Sequence, residues 1–141
     1  DYPLREIWDK MTDRASSRNK PAQPAITSYE RLATAELPFA VRPHPSARYS
    51  LLRVKPQTGR NRQIRRHLKH IFHPIIGDHK HGDNAHNRLF AENLDCTRLL
   101  LHASAISFAH PVTGGQMSLR AQLPADFALL LQRVFGSADF C

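Results

Sequence analysis

Proline placement constrains this chain more than any other feature. Pro38, Pro43 and Pro45 crowd one stretch and forbid regular pairing there, and Pro56 opens the turn Pro56-Gln57-Thr58-Gly59. Pro74 stops a helix, Pro111 begins a hairpin turn through Gly115, and Pro124 starts a final helix. Only short elements fit between these points. Ile26 to Glu36 is rich in β-branched and aromatic residues and reads as a strand. Tyr49 to Lys55 reads as another, with Leu52 and Val54 alternating against Arg53 and Lys55. Asn61 is the expected N-cap of a helix with an apolar stripe of Ile64, Leu68, Ile71 and Phe72. Asn84 to Asn93 suggests a short helix. The apolar run Leu99 to Ala109 suggests a buried strand, with Met117 to Gln122 as its return. Phe127, Leu130, Leu131 and Val134 share one face of the last helix, which runs to Phe135. Before all this, Leu4, Ile7, Trp8 and Met11 fit a brief amphipathic helix, and Asp13 to Pro24 a polar loop. Strands and helices are mixed without repeating βαβ units, so the expected class is α+β, with a mixed, mostly antiparallel sheet and flanking helices. At 141 residues the chain amounts to one domain.

Charge placement speaks to the partner. Between Leu37 and Gly77 there is no Asp or Glu. The same window holds nine cations: Arg42, Arg48, Arg53, Lys55, Arg60, Arg62, Arg65, Arg66 and Lys69. The formal net charge is +8, so this window carries the whole excess. A local field of this kind attracts polyanions, and the dominance of arginine favours nucleic acid over a merely solvated basic face. No apolar run suggests a membrane span, so no membrane partner is expected. The first residues lack a signal-peptide pattern, and the chain lacks an initiator Met, which suggests processing or a start inside a longer protein. Cys96 and Cys141 are expected to be free thiols in a reducing compartment, which places the chain in the cytoplasm.

The chemistry-bearing segment is Thr58-Gly59-Arg60-Asn61-Arg62-Gln63-Ile64-Arg65-Arg66-His67-Leu68. It reads as a turn feeding a helix N-terminus, where free N–H groups and the helix dipole favour a phosphate. Gly59 would let the backbone approach a ligand closely. Arg62, Arg66 and Lys69, spaced i, i+4, i+7, would share a helix face, with Arg60 on the turn. Arg65 sits at the margin of the buried face and must therefore be paired, its natural partner being a carboxylate from elsewhere. The histidines His67, His70 and His73 fan around a helix too widely to bind one metal ion together, so no metal site is expected. His102, on an apolar run, reads as a hydrogen-bonded core residue.

At these residues a resemblance becomes specific. Thr58-Gly59-Arg60, then Gln63-Ile64-Arg65 and His67-Leu68, resembles the TGR-x-HQ-[IL]-R-x-HL motif of RluA-type RNA pseudouridine synthases. His73-Pro74-Ile75-Ile76-Gly77-Asp78 is similar to the HPI-x-GD that follows it in that family. So are Leu101-His102-Ala103, and His110-Pro111 with Thr113-Gly114, to its LHA and HP-x-TG segments. The order holds from about Ile26 to the end. One departure is Arg62, where the family most often has His. The His79-Lys80-His81-Gly82-Asp83 stretch, the doubled Arg65-Arg66 and the opening Asp1-Tyr2-Pro3-Leu4 resemble a tRNA-acting subgroup.

The resemblance implies that the chain is the C-terminal half of a pseudouridine synthase fold. Residues 1–24 would be an irregular lead-in and 25–141 the motif-bearing region. It implies a uridine flipped out of RNA, attack by an aspartate, and rejoining of the uracil through C5, without metal or cofactor. That aspartate lies in an HRLD motif, and a base-stacking Tyr lies further along; neither motif occurs in this sequence. Arg65 matches the arginine that pairs with the nucleophile, and Ile64 an apolar residue near the pocket. Arg60, Arg62, Arg66, Lys69, Lys80 and His81 are the expected RNA contacts. The expected partners are RNA, tRNA above all, and the missing N-terminal half. Alone, the chain is expected to be inactive, to expose apolar surface, to self-associate, and to leave Arg65 without a carboxylate. The competing reading is a basic RNA-binding module without catalysis. It would need exposed aromatics among the basic residues. Only Phe39, Tyr49 and Phe72 lie in the window, and Phe72 is expected on the core stripe.

Overall fold

A computed structural model describes residues 1–6, 21–41 and 43–140. The fold is α+β, with two separate two-stranded antiparallel sheets and three helices among the described residues. The first sheet pairs β1 (Thr27–Leu37) with β2 (Ala47–Pro56), from Thr27 opposite Pro56 to Leu37 opposite Ala47. The register slips between Arg31 and Ala33, so Leu32 is the extra residue of a bulge. The proline-rich connection turns through a bridge between Val41 and His44. Helix α1 (Gln63–His70) follows, then the loop through Asp83, α2 (Asn84–Leu94), the hairpin β3 (Ala105–Ala109) and β4 (Gln116–Arg120), and α3 (Ala125–Phe135).

The core lies between the β1–β2 ribbon and the helices α2 and α3. Ala47, Leu89, Phe90, Leu94, Cys96, Leu130 and Val134 are buried together, and Ala35, Leu37 and Tyr49 pack against them. The α3 stripe forms as its spacing predicts: Phe127, Leu130, Leu131 and Val134 are all buried. Asp126 in its first turn and Arg133 in its last complement the helix dipole, and Gly136 closes it at φ 76°. Asp83 caps α2 by accepting from Ala85 N–H at 2.8 Å. Cys96 is a buried free thiol, and Cys141 lies outside the described residues.

Ile7, Trp8 and Met11 of the expected early helix lie outside the described residues, and Leu4 bridges to Gln23. Other expectations change. Arg62, not Asn61, occupies the N-cap of α1, in the left-handed conformation at φ 52°. The α1 stripe stops short: the helix ends at His70, and its buried face is Gln63, His67 and Leu68. Ile71 is exposed, and Phe72 is 90% exposed. The run Leu99 to Ala109 is a strand only from Ala105, and all five residues of β3 are exposed. The strands pair Ile106 with Leu119 and Phe108 with Met117. One face of this hairpin is therefore apolar, while the other carries Ser107, Ser118 and Arg120. His102 accordingly lies outside the core, half-buried, 3.3 Å from the Ala121 carbonyl.

Candidate nucleic-acid interface

Gln63 anchors the signature segment. It is 4% exposed and uses all its hydrogen-bonding capacity. Its Oε1 accepts from the Thr58 hydroxyl at 2.7 Å and from Arg60 N–H at 3.0 Å. Its Nε2 donates to the Ile26 carbonyl and to Thr27 Oγ1, both at 2.9 Å. His67 extends the network, with Nδ1 at 2.9 Å from Thr27 Oγ1 and Nε2 at 2.9 Å from the Tyr2 carbonyl. A carbonyl only accepts, so in the neutral ring Nε2 carries the proton and Thr27 donates to Nδ1. Threonine, glutamine and histidine at these positions thus tie α1 to the start of β1 and to the N-terminal segment.

The same network limits the anticipated phosphate cradle. Arg60 N–H is taken by Gln63, and Gln63 N–H by the Arg60 carbonyl at 3.0 Å. Gly59 faces open space, with no close approach by the described residues. Arg62 stands at the cap rather than on the helical face expected for it with Arg66 and Lys69. Arg60 donates from Nε to the Pro24 carbonyl at 3.2 Å, and Arg66 turns back toward the Asn61 carbonyl at 3.4 Å. Lys69 and Lys80 are exposed.

Behind these cations lies a buried ion pair. Arg65 donates from Nε to Asp78 Oδ2 at 2.6 Å and from Nη2 to Oδ1 at 2.7 Å. The expectation that Arg65 would lack a carboxylate is therefore wrong: the Gly-Asp loop supplies one thirteen residues downstream. Asp78 is 1% exposed. Its Oδ1 also accepts from the backbone N–H groups of Lys80 at 2.9 Å and His81 at 2.8 Å. Arg65, and secondarily those amides, hold the Asp78 carboxyl well below the usual carboxylate range although burial opposes them. Arg65 Nη1 has no hydrogen-bond acceptor among the described residues.

Loop geometry presses the pair into place. Gly77 takes φ 76°, and a Cβ there would stand 1.8 Å from the Arg98 carbonyl oxygen. A Cβ on Gly82 would meet the Asp78 carbonyl oxygen at 2.2 Å. Asn87 of α2 accepts from Gly77 N–H at 2.7 Å and donates to the Asp78 carbonyl at 3.2 Å. Sequence reasoning left Asp78, Gly77 and Asn87 out of the site. The carboxylate that Arg65 required was the signal for Asp78, but nothing in the spacing singled it out from the other acids. His81 completes the group. Its Nε2 is buried with no partner among the described residues. Burial lowers its pKa, and Arg65, Arg62 and Lys69 add to that against the pull of Asp78. No cluster of metal-ligating side chains occurs among the described residues.

The family model described as RNA pseudouridylate synthase matches residues 4–70 of this chain, which is similar to that family over this stretch. Several similar proteins carry the name tRNA pseudouridine synthase C. The protein from Pectobacterium carotovorum is 50% identical over 125 residues, covering 89% of this chain and 33% of the relative. Those from Vibrio vulnificus and Salmonella typhi are 46% and 48% identical, covering 94% and 96% of this chain and 54% and 52% of theirs. The chain thus spans between a third and about half of the length of these relatives.

Proposed function

We propose that the protein carrying this sequence isomerises uridine to pseudouridine in RNA, with tRNA as the substrate. The observation that carries this is the Arg65–Asp78 unit, set among the ordered motifs of a chain that is 46–50% identical to relatives named for that activity. Arg60, Arg62, Arg66, Lys69, Lys80 and His81 hold the RNA backbone, and Ile64 lines the pocket beside Arg65. The reaction draws on no metal or cofactor. The nucleophilic aspartate and the stacking tyrosine come from the N-terminal half, the partner of this C-terminal part of the catalytic domain. No helix among the described residues is long and apolar enough to cross a membrane; the proposed activity on tRNA places the protein in the cytoplasm.

Arg65 serves two carboxylates in this reading. Asp78 fixes the guanidinium with two parallel hydrogen bonds, which leaves Nη1 to pair with the nucleophile. Arg65→Ala in the intact protein should lower single-turnover rates at saturating RNA by orders of magnitude while RNA affinity falls much less. Lys69→Ala should do the reverse. Normal turnover in Arg65→Ala would remove the assignment and leave a non-catalytic RNA-binding module as the better account.

The 141-residue chain alone should have no activity. A covalent mechanism without its nucleophile loses several orders of magnitude in rate. Tritium release from uridine-labelled tRNA measures this directly. Release by the pure chain would move the nucleophile to an aspartate present here. The exposed apolar face of the β3–β4 hairpin also supports self-association of the isolated chain.

A further inference from the structure

Phe72 occupies a position that its side chain does not suit. His73 N–H bonds the Leu68 carbonyl at 2.9 Å and Phe72 N–H the Lys69 carbonyl at 3.0 Å, which is the paired-bond closure of a helix C-terminus. The residue at the centre of that closure is left-handed, and glycine usually fills it. Here it is phenylalanine at φ 62°, 90% exposed. The ring therefore costs backbone strain without gaining burial. Its setting is cationic and aromatic. Lys69, His70 and His73 are all exposed, and His70 lies flat on Tyr2 with ring centroids 3.6 Å apart. Tyr2 is itself 42% exposed. The segment closes the acid-free window from Leu37 to Gly77. An exposed ring beside a cation such as Lys69 is the arrangement that binds unpaired bases, because every base offers a π-face and the cation holds its phosphate.

We propose that Phe72 is a stacking platform for an unpaired base of the bound RNA, at the C-terminal end of α1. The proposal rests on the reading of the protein as RNA-binding and adds a contact that carries no charge. The base lies against the Phe72 ring while Lys69 and the flanking histidines face the backbone. Phe72 stands outside the Arg65–Asp78 unit and takes no part in the chemical step.

The test uses the intact protein and a short single-stranded oligoribonucleotide carrying 2-aminopurine, whose fluorescence is quenched on stacking. Phe72→Leu should weaken binding by about tenfold at fixed salt and abolish part of the quenching, while Phe72→Tyr retains both. The salt slope should not change in either, since no cation is lost. Phe72→Gly should weaken binding as much as Phe72→Leu while raising the melting temperature, because glycine relieves the left-handed strain. Unchanged affinity and quenching in Phe72→Leu, with the parent protein binding normally, would overturn the platform and leave the RNA reading standing. Failure of the parent protein to bind at low salt would overturn both. A lower melting temperature in Phe72→Gly would mean that the ring packs against the rest of the polypeptide, and the platform would fall on that result too.

Discussion

Asp78 and Arg65 each make sense only through the other. A carboxylate taken out of water needs every lone pair answered, and this one receives two guanidinium and two backbone N–H bonds. Asp78→Asn keeps the shape but leaves Arg65 an uncompensated charge. It should cost roughly 2–4 kcal/mol at neutral pH, discounted because the Arg65 side chain is partly exposed. The pH dependence follows from the same pair. The folded carboxyl titrates below the unfolded value of about 3.9, so its contribution is present above pH ~4 and is lost as pH falls from there through the folded pKa. Denaturant midpoints measured from pH 7 down to 2 should show this loss in the parent chain and a flatter profile in Asp78→Asn. Equal slopes would mean that Asp78 titrates normally. From sequence alone the need for a partner to Arg65 was legible. Its identity was not, because pairing across a loop leaves no fixed spacing.

Among the elements, those whose side chains alternate or recur on a buried face were the most readable. β1, β2, α2 and α3 lie within a residue or two of their expected bounds, and α3 buries all four residues of its expected stripe. The errors share one cause: apolar residues mark surfaces to be covered, not the point where a helix closes or what does the covering. Ile71 and Phe72 continued the α1 periodicity past the closing turn at His70. Leu99 to Ala109 reads identically whether its cover lies within the chain or beyond it. Glycines show the converse, since their role depends on surroundings that spacing does not record. Gly77→Ala should destabilise by roughly 3 kcal/mol, combining left-handed strain with a backbone clash. Gly59→Ala, with nothing within 4 Å, should shift stability by less than about 0.5 kcal/mol. Thermal melts of the two variants would separate them, and similar losses would show that the loop gives way at Gly77.

For the whole molecule, the charged side chains stand apart from the core even where they share a segment with it. The basic window contributes Ala47 to the core and packs Leu37 and Tyr49 against it, but its described cations sit at exposed or half-buried positions of β2, α1 and their connection. RNA affinity should therefore respond to salt without any matching change in stability. If Arg60, Arg62, Arg66, Lys69 and Lys80 each meet a phosphate, log affinity should fall against log salt with a slope of about −4, and Lys69→Ala should reduce that slope by about 1. A flat salt response would remove the electrostatic interface.

The placement of that core leaves β3 and β4 holding mainly to one another. Cross-strand bonds and Ser107–Ser118 at 3.1 Å tie the two strands, and Ile106 and Leu119 are 60% and 51% exposed. A two-stranded ribbon without a packed face is marginal in water. It should open by itself while the α2–α3 core stays shut, so its amides are expected to exchange with solvent through local fluctuations rather than global unfolding. In this chain, then, the hairpin and the core are two tiers of stability within one fold. Whatever surface settles on Ile106, Phe108, Met117 and Leu119 would merge them into one cooperative unit.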